Sequence, residues 1–288
     1  MGWRQIIITG RAKLDLKMNY LVVRKDTTTK IHISEIDILV IESLQVSITT
    51  ALIQELSKNK VKVIFCDETY SPFCEVTSYY GKYNSPLMLK NQINWKKENK
   101  LKVWTEIIRQ KIKNQKELLC EYGKEEYMLL EGYLLDLKKG DSTNREGHAA
   151  KVYFNALFGK DFTRNLDNGI NSALNYGYSL ILSSFNREIC LNGYLTELGI
   201  FHDNQFNFYN LSSDLMEPFR PIIDKIVINI NIGTFGREEK LKLMDVFMSP
   251  IKIGNRTYEL RNAISIYCKG VFQAIESGNL EYMVKCEL

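Results

Sequence analysis

What the chain lacks narrows its chemistry first. Its six cysteines include no Cys-x-x-Cys pair and no cysteine–histidine spacing suited to structural zinc, so they read as small, reduced, buried hydrophobes. There is no Gly-x-Ser-x-Gly elbow, no phosphate-cradling Walker loop and no dinucleotide fingerprint, and Gly233-x-x-Gly236 alone does not make one. Long hydrophobic runs are missing too. Near the start only Ile6, Ile7 and Ile8 adjoin, too few for a secretory or membrane-spanning segment, and isoleucine at position 6 argues against myristoylation. A cytoplasmic protein with no membrane contact is the expectation. Charge of one sign is scarce as well. The 38 basic residues nearly cancel 34 acidic ones, leaving +4, so a nucleic-acid surface has to come from local clustering.

What is present suffices for a sizeable core: 288 residues, 45% of them hydrophobic, with length enough for two domains. Short β-branched segments at 5–9, 12–18, 20–25, 30–34 and 36–41 predict strands, with Lys17-Met18-Asn19 turning one back on the next. A helix is expected over 47–58, and strands at 61–65 and 72–77. The run from Tyr79 to Pro86 breaks the pattern. Beyond it the periodicity becomes helical and charge-laced, with helices expected at 87–137, 166–190, 191–200, 214–226, 238–248 and 260–277, and a hairpin through 251–258. The expected fold class is α+β: a β-rich N-terminal domain over 1–80, a linker over 81–90, and a larger all-α domain over 91–288.

The least ordinary stretch is Ser213-Asp214-Leu215-Met216-Glu217-Pro218-Phe219-Arg220-Pro221. A helix there puts Leu215, Phe219, Ile222 and Ile226 on an apolar stripe and Glu217, Arg220 and Asp224 on another face. In a helix after the 140–144 break, Glu146 shares a face with Ala149, Ala150, Tyr153 and Leu157. A carboxylate on an apolar face needs a partner, a cap or a metal, because desolvating it alone costs several kcal/mol. Glu146, Glu217 and His202 together suit a single divalent cation: carboxylates match magnesium or manganese, and imidazole tilts the preference toward manganese. Of the other histidines, His148 points away from Glu146 and His32 lies among strands. Structural readings stand beside this one. Thr143-x-x-Glu146 has capping-box form, Asp214-x-x-Glu217 is similar, and Glu217 with Arg220 forms a helical ion pair worth about 0.2–0.5 kcal/mol. The basic run that includes Lys96, Lys97, Lys100, Arg109, Lys111 and Lys113 fits either a solvated helix face or a phosphate-tracking one.

The order Glu146-Gly147, Ala150, Tyr153-Phe154, then His202, then Asp214-Leu215-Met216-Glu217-Pro218-Phe219-Arg220-Pro221 resembles the CRISPR-associated adaptation integrases, the "Cas-one" family, in its type II branch. The resemblance runs through essentially the whole chain. It implies a metal-dependent DNA endonuclease and integrase that inserts captured DNA as new spacers, a 3′-hydroxyl attacking a repeat-boundary phosphodiester. The alternative is a catalytically silent DNA-binding scaffold of the same complex. By the resemblance, Glu146, His202 and Glu217 are the catalytic ligands of Mg2+ or Mn2+. Many relatives carry Asp at the third position, so Glu217 is one methylene longer. Lys96, Lys97, Lys100, Arg109, Lys113 and Arg220 are DNA-contact candidates, Arg220 equally a residue that orients Glu217. The implied partners are DNA, a second copy of the chain in a homodimer using the N-terminal domain, and the small "Cas-two" protein. The RNA-guided effector and a further type II adaptation protein complete the set.

Overall fold

A computed structural model describes residues 2, 4–70, 72–77, 83–230 and 235–288. Residues 79–82 of the break expected over 79–86, and residues 231–234 with Gly233, lie outside these. The chain divides into two compact units, Met1–Tyr80 and Gly81–Leu288. It is an α+β protein.

The first unit comprises β1 (Arg4–Ile8), β2 (Ala12–Lys17), β3 (Tyr20–Arg24), β4 (Thr28–His32), β5 (Ile36–Ile41), β6 (Val46–Ile48), α1 (Thr50–Lys58), β7 (Lys62–Cys66) and β8 (Pro72–Val76). They form two four-stranded sheets, ordered β1-β5-β7-β8 and β4-β3-β2-β6. In the first sheet β1, β5 and β7 run parallel and β8 returns antiparallel. All six residues of β5 are buried, as a central parallel strand requires, which explains its unbroken Ile-Asp-Ile-Leu-Val-Ile run. The β2–β3 hairpin closes through Met18 and Asn19, both at positive φ (47° and 64°), the geometry whose twist matches the flanking strands. Leu14, Leu21, Ile33, Leu39, Leu52, Leu56 and Val63 share one core. The helix expected over 47–58 starts later: β6 pairs parallel with β2, and Thr49 caps α1 by accepting from the Leu52 amide.

The second unit contains α2 (Ser85–Ile93), α3 (Lys97–Glu121), α4 (Tyr127–Leu135), α5 (Arg145–Phe158), α6 (Gly169–Leu191), α7 (Asn210–Met216), α8 (Arg220–Asn229), α9 (Arg237–Met244), β9 (Pro250–Ile253), β10 (Arg256–Glu259), α10 (Leu260–Ser277) and β11 (Cys286–Glu287). The unit is therefore not all-α, since β10, β9 and β11 make a small antiparallel ribbon. Part of the expected linker is helical, because α2 begins at Ser85. Its centre is α3, which packs against α4, α5, α8 and α10 and buries Val103, Trp104, Ile107, Ile108 and Ile112. A second buried helix, α6, packs against α7, α8, α9 and α10. Gly177 on α6 lets α8 come close, since a Cβ there would collide with Ile223.

Two helical expectations fail. Residues 191–200 are not helical: Gln92 of α2 donates to the Leu195 and Leu198 carbonyls and accepts from the Leu195 amide, and these bonds replace a helical ladder. The helix expected over 214–226 is two. Pro218 has no N–H to donate back to Asp214, so the chain tightens into a 3-10 turn, Glu217–Phe219, between α7 and α8. Asn114 of α3 donates to the Pro218 carbonyl at 2.8 Å and fixes that turn. Among the described residues no helix is long and apolar enough to cross a membrane.

Candidate active site

Four charged side chains from α3, α5, the 3-10 turn and α8 meet inside the second unit. Lys111 of α3 places its Nζ 2.6 Å from Glu146 Oε1 and 2.5 Å from Glu217 Oε2. Arg220, on the first turn of α8, donates its Nε to Glu217 Oε1 at 2.9 Å. Lys111 and Glu217 are buried, at 8% and 4% side-chain exposure, while Glu146 is more open at 24%. The face carrying Glu217 and Asp224 is thus interior.

The capping readings do not describe these glutamates. Asn144 caps α5 by accepting from the Gly147 amide, and Asp141 takes the amides of Arg145 and Glu146 at 2.7 and 3.0 Å. Thr143 Oγ1 is buried with no hydrogen bond, and the Glu146 carboxylate is left to face Lys111. Asp214 lies inside α7 rather than at a helix start. Its carboxylate gathers the backbone amides of Ile200, Phe201 and His202 at 2.5, 3.0 and 3.0 Å, together with His202 Nδ1 at 2.6 Å. This tight loop needs Gly199, where a Cβ would collide with the His202 carbonyl.

An ionised Asp214 only accepts, so His202 Nδ1 is the donor and Nε2 the nitrogen with a free lone pair. The ring stands edge-on to Trp104, 5.8 Å between centroids, beside Phe201, which stacks on Trp104 at 4.4 Å. The bond to Asp214 raises the imidazole pKa, with Glu217 and Glu146 adding to it at longer range. For Glu217, burial raises the pKa, yet Arg220 and Lys111 outweigh it and bring the carboxyl down to about 2. Burial alone would lower the Lys111 pKa; Glu217 and Glu146 more than reverse that.

A second buried cluster adjoins this one. Asp224 of α8 accepts from the hydroxyls of Tyr153 (2.8 Å) and Tyr178. Arg220 lies 4.7 Å over the Tyr178 ring and Arg164 5.3 Å from it. Burial pushes Asp224 up to about 6 despite the two phenols and the nearby guanidinium groups.

The expected site residues are distributed unevenly. Glu146 and Glu217 share one ammonium, with Arg220 bound to Glu217. His202 stands near enough to feel both carboxylates, but among the described residues no three His, Cys, Asp or Glu side chains are gathered to hold a metal ion. Lys96 and Lys97 are exposed and Lys100 is half-buried. Arg109 pairs with Glu106, and Lys113 with Glu117 and Glu287. These bases wind around α3 rather than lining one face. Lys111 and Asp214 were not foreseen as site residues. Lys111 did carry a signal: it falls in register with Trp104, Ile108 and Leu118, a charge on an apolar stripe like Glu146.

The donor set fits a divalent cation in kind. Two carboxylates converge on one positive charge, the Lys111 ammonium standing in for a cation between them, and an imidazole presents Nε2 nearby. Glu217 Oε2, moreover, is buried, with the Lys111 ammonium at 2.5 Å standing against it.

A family profile described as CRISPR associated protein Cas1 matches residues 6–239. The chain belongs to the Cas1 family. One Cas1 relative, the CRISPR-associated endonuclease Cas1 of Neisseria meningitidis serogroup C (strain 8013), is 35% identical over 233 residues, covering 80% of this chain and 76% of that protein. A solved structure described as a casposase bound to integration product superposes with a TM-score of 0.79 at 19% identity, over 96% of this chain and 92% of the other. A Cas6-RT-Cas1--Cas2 complex gives 0.73 at 19% identity, over 97% of this chain and 36% of that one. At such identities the structural likeness speaks for the fold alone; membership of the Cas1 family rests on the sequence matches.

Proposed function

We propose that the chain is the metal-dependent DNA integrase of a CRISPR adaptation system, of the type II branch, inserting captured DNA as new spacers. The observation that carries this reading is the convergence of Glu146 and Glu217, from separate elements, on one cation position beside an imidazole held by Asp214. Membership of a family whose relatives are named endonucleases supports it, and the fold is one shared with a casposase solved bound to integration product.

The reaction exchanges one phosphodiester for another. A new P–O bond forms to the 3′-oxygen of the incoming strand and the bond to a 3′-oxygen of the repeat strand breaks, so no hydrolytic step or covalent protein intermediate is needed. The proton of the attacking hydroxyl is lost to solvent, and the departing oxygen is reprotonated from it. Glu146, Glu217 and His202 Nε2 would hold Mg2+ or Mn2+. A cation there supplies charge neutralisation at the phosphate and alignment of the attacking and leaving oxygens. Asp214 sets the imidazole by binding Nδ1, and Arg220 holds the Glu217 carboxylate from its far side. Lys96, Lys97 and Lys100, the least encumbered bases of the run, are suited to neutralising the DNA backbone without reading sequence. The assembly reading follows from the family: a homodimer built on the β-rich unit, joined by Cas2, with the RNA-guided effector and a further adaptation protein completing a type II system.

Strand transfer on branched DNA with Mn2+ or Mg2+ tests this. Glu146→Gln lowers the rate by more than about a hundredfold, beyond the range of 10- to 100-fold typical of losing an outer partner of a metal ligand, while DNA binding persists. Activity surviving that change removes Glu146 from the mechanism. A wild-type protein that binds DNA yet never joins or nicks it would instead be the silent scaffold.

A further inference from the structure

The ammonium between Glu146 and Glu217 is more than an ion pair in a helical protein. Lys111 belongs to the apolar stripe of a buried helix, where a lysine is seldom placed without a dedicated counter-charge. Here it has two, at 2.6 and 2.5 Å, and both are the carboxylates assigned above to the metal. Lys111 and Arg220 balance Glu146 and Glu217, and Asp214 beside a neutral, ligating His202 leaves one negative charge over. A divalent ion added to this set with Lys111 still in place would leave a partly buried excess of one positive charge, whereas withdrawal of the ammonium brings the set to neutrality. The two cations also need the same oxygens. Glu146 Oε1 and Glu217 Oε2 each contact the ammonium, and Glu217 Oε1 is taken by Arg220.

We infer that Lys111 is a built-in place-holder for the divalent cation: it keeps the carboxylate pair folded and neutral without metal and has to withdraw for metal to bind. This rests on the metal-site reading proposed above and adds a residue that governs entry. Lysine suits the task, because its charge is a compact point on a flexible four-carbon stem that can swing aside, whereas the forked guanidinium of Arg220 binds Glu217 in a more rigid frame. Once free of the carboxylates, the ammonium is a cation beside the metal position, available to a DNA phosphate. Lys111 is thus a positioning residue whose first effect is on metal affinity rather than on chemistry.

Calorimetric titration of Mn2+ into the DNA-free full-length chain, wild type against Lys111→Met, is the decisive comparison. Met keeps the length and apolar contacts of the stem and removes the competing charge. The variant should bind Mn2+ about tenfold more tightly or better, as expected if the lysine-withdrawn state is populated a tenth of the time or less. It should also melt at lower temperature than wild type without metal and gain more on adding Mn2+. Equal or weaker Mn2+ binding by Lys111→Met overturns the inference while leaving the metal site standing. Absence of Mn2+ binding by both proteins overturns the metal site itself.

Should Lys111→Met fail to fold, amine labelling of the wild type supplies the answer. Modification of Lys111 should rise several-fold when Mn2+ is added, as the ammonium leaves its buried contact, with Lys96 and Lys97 as exposed internal standards. No change in Lys111 labelling under saturating Mn2+ overturns the inference.

Discussion

Two carboxylates seven residues apart, Glu217 in the 3-10 turn and Asp224 on α8, are both shut away from water, yet they ionise in opposite ways. Glu217 is driven down to about 2 and Asp224 is pushed up to about 6. Burial acts on both in the same direction, disfavouring charge. The difference lies in what each one touches. Glu217 meets two full positive charges, Lys111 and Arg220, whereas Asp224 meets two phenolic hydroxyls, with its guanidinium neighbours acting from farther off. Two phenolic donors do not offset the burial of Asp224, whereas two full positive charges overcome that of Glu217. The first arrangement holds two side-chain cations, and the second is a brace joining α5, α6 and α8.

The strongest way to break the comparison is to neutralise the charged member. Glu217→Gln leaves Lys111 and Arg220 short of a counter-charge and should cost about 3–5 kcal/mol in denaturant unfolding. A loss below about 1 kcal/mol would show that water reaches the cluster. The glutamate's folded pKa lies below its usual 4.5, so its stabilisation is present above that value and is lost as pH falls toward 2. The Gln variant should lack this acid-side loss.

Asp224→Asn probes the other half. Here the folded pKa lies above the ordinary 3.8, so the folded state holds the proton more tightly, and stability from this group declines as pH rises from about 4 to 6 and levels off beyond. The decline has an upper bound of roughly 3 kcal/mol at about 1.4 kcal/mol per pKa unit. Melting curves between pH 4 and 7 should therefore show the wild type losing ground to the Asn variant across that window. A difference independent of pH would mean that Asp224 stays ionised throughout.

Smaller effects sharpen the contrast. Asp214→Asn leaves one acceptor oxygen where the carboxylate has two, so the His202 ring and the loop amides can no longer all be held, and Mn2+ binding should weaken about 10- to 100-fold, read by calorimetry. Unchanged affinity would show that the carboxylate charge is not what sets the ring for metal. At the bottom of the scale, the half-exposed Lys113–Glu117 pair is a control on the same helix as Lys111. Lys113→Ala should change stability by less than about 0.5 kcal/mol in the same denaturant assay.

The features most legible in the sequence were those governed by local rules. The Met18-Asn19 reversal, the β-branched strands before it and the closing helix from Leu260 to Ser277 follow from turn chemistry and periodicity, and the structure has them in place. Glu146 was legible as a carboxylate on an apolar face. Its partner was not, because the basic run on α3 reads as one surface when each lysine is counted alike, and only alignment with Trp104 and Ile108 separates Lys111 from Lys113. The stretch from Asp214 to Ile226 reads as one helix by its apolar spacing, but the missing amide of Pro218 breaks it. Likewise 191–200 has helical spacing, and Gln92, about a hundred residues earlier, cancels it. Long-range hydrogen bonds of this kind leave no mark on local pattern.

Asn114 gives the turn at Glu217 a second hold. One helical step beyond Lys111, its side-chain amide fastens the Pro218 carbonyl, so the same rod clasps the segment through both charge and main chain. Loosening of the mostly exposed α4 then leaves the separation of these two clamps untouched. On warming, loss of catalytic competence should accordingly coincide with melting of the whole helical unit instead of preceding it.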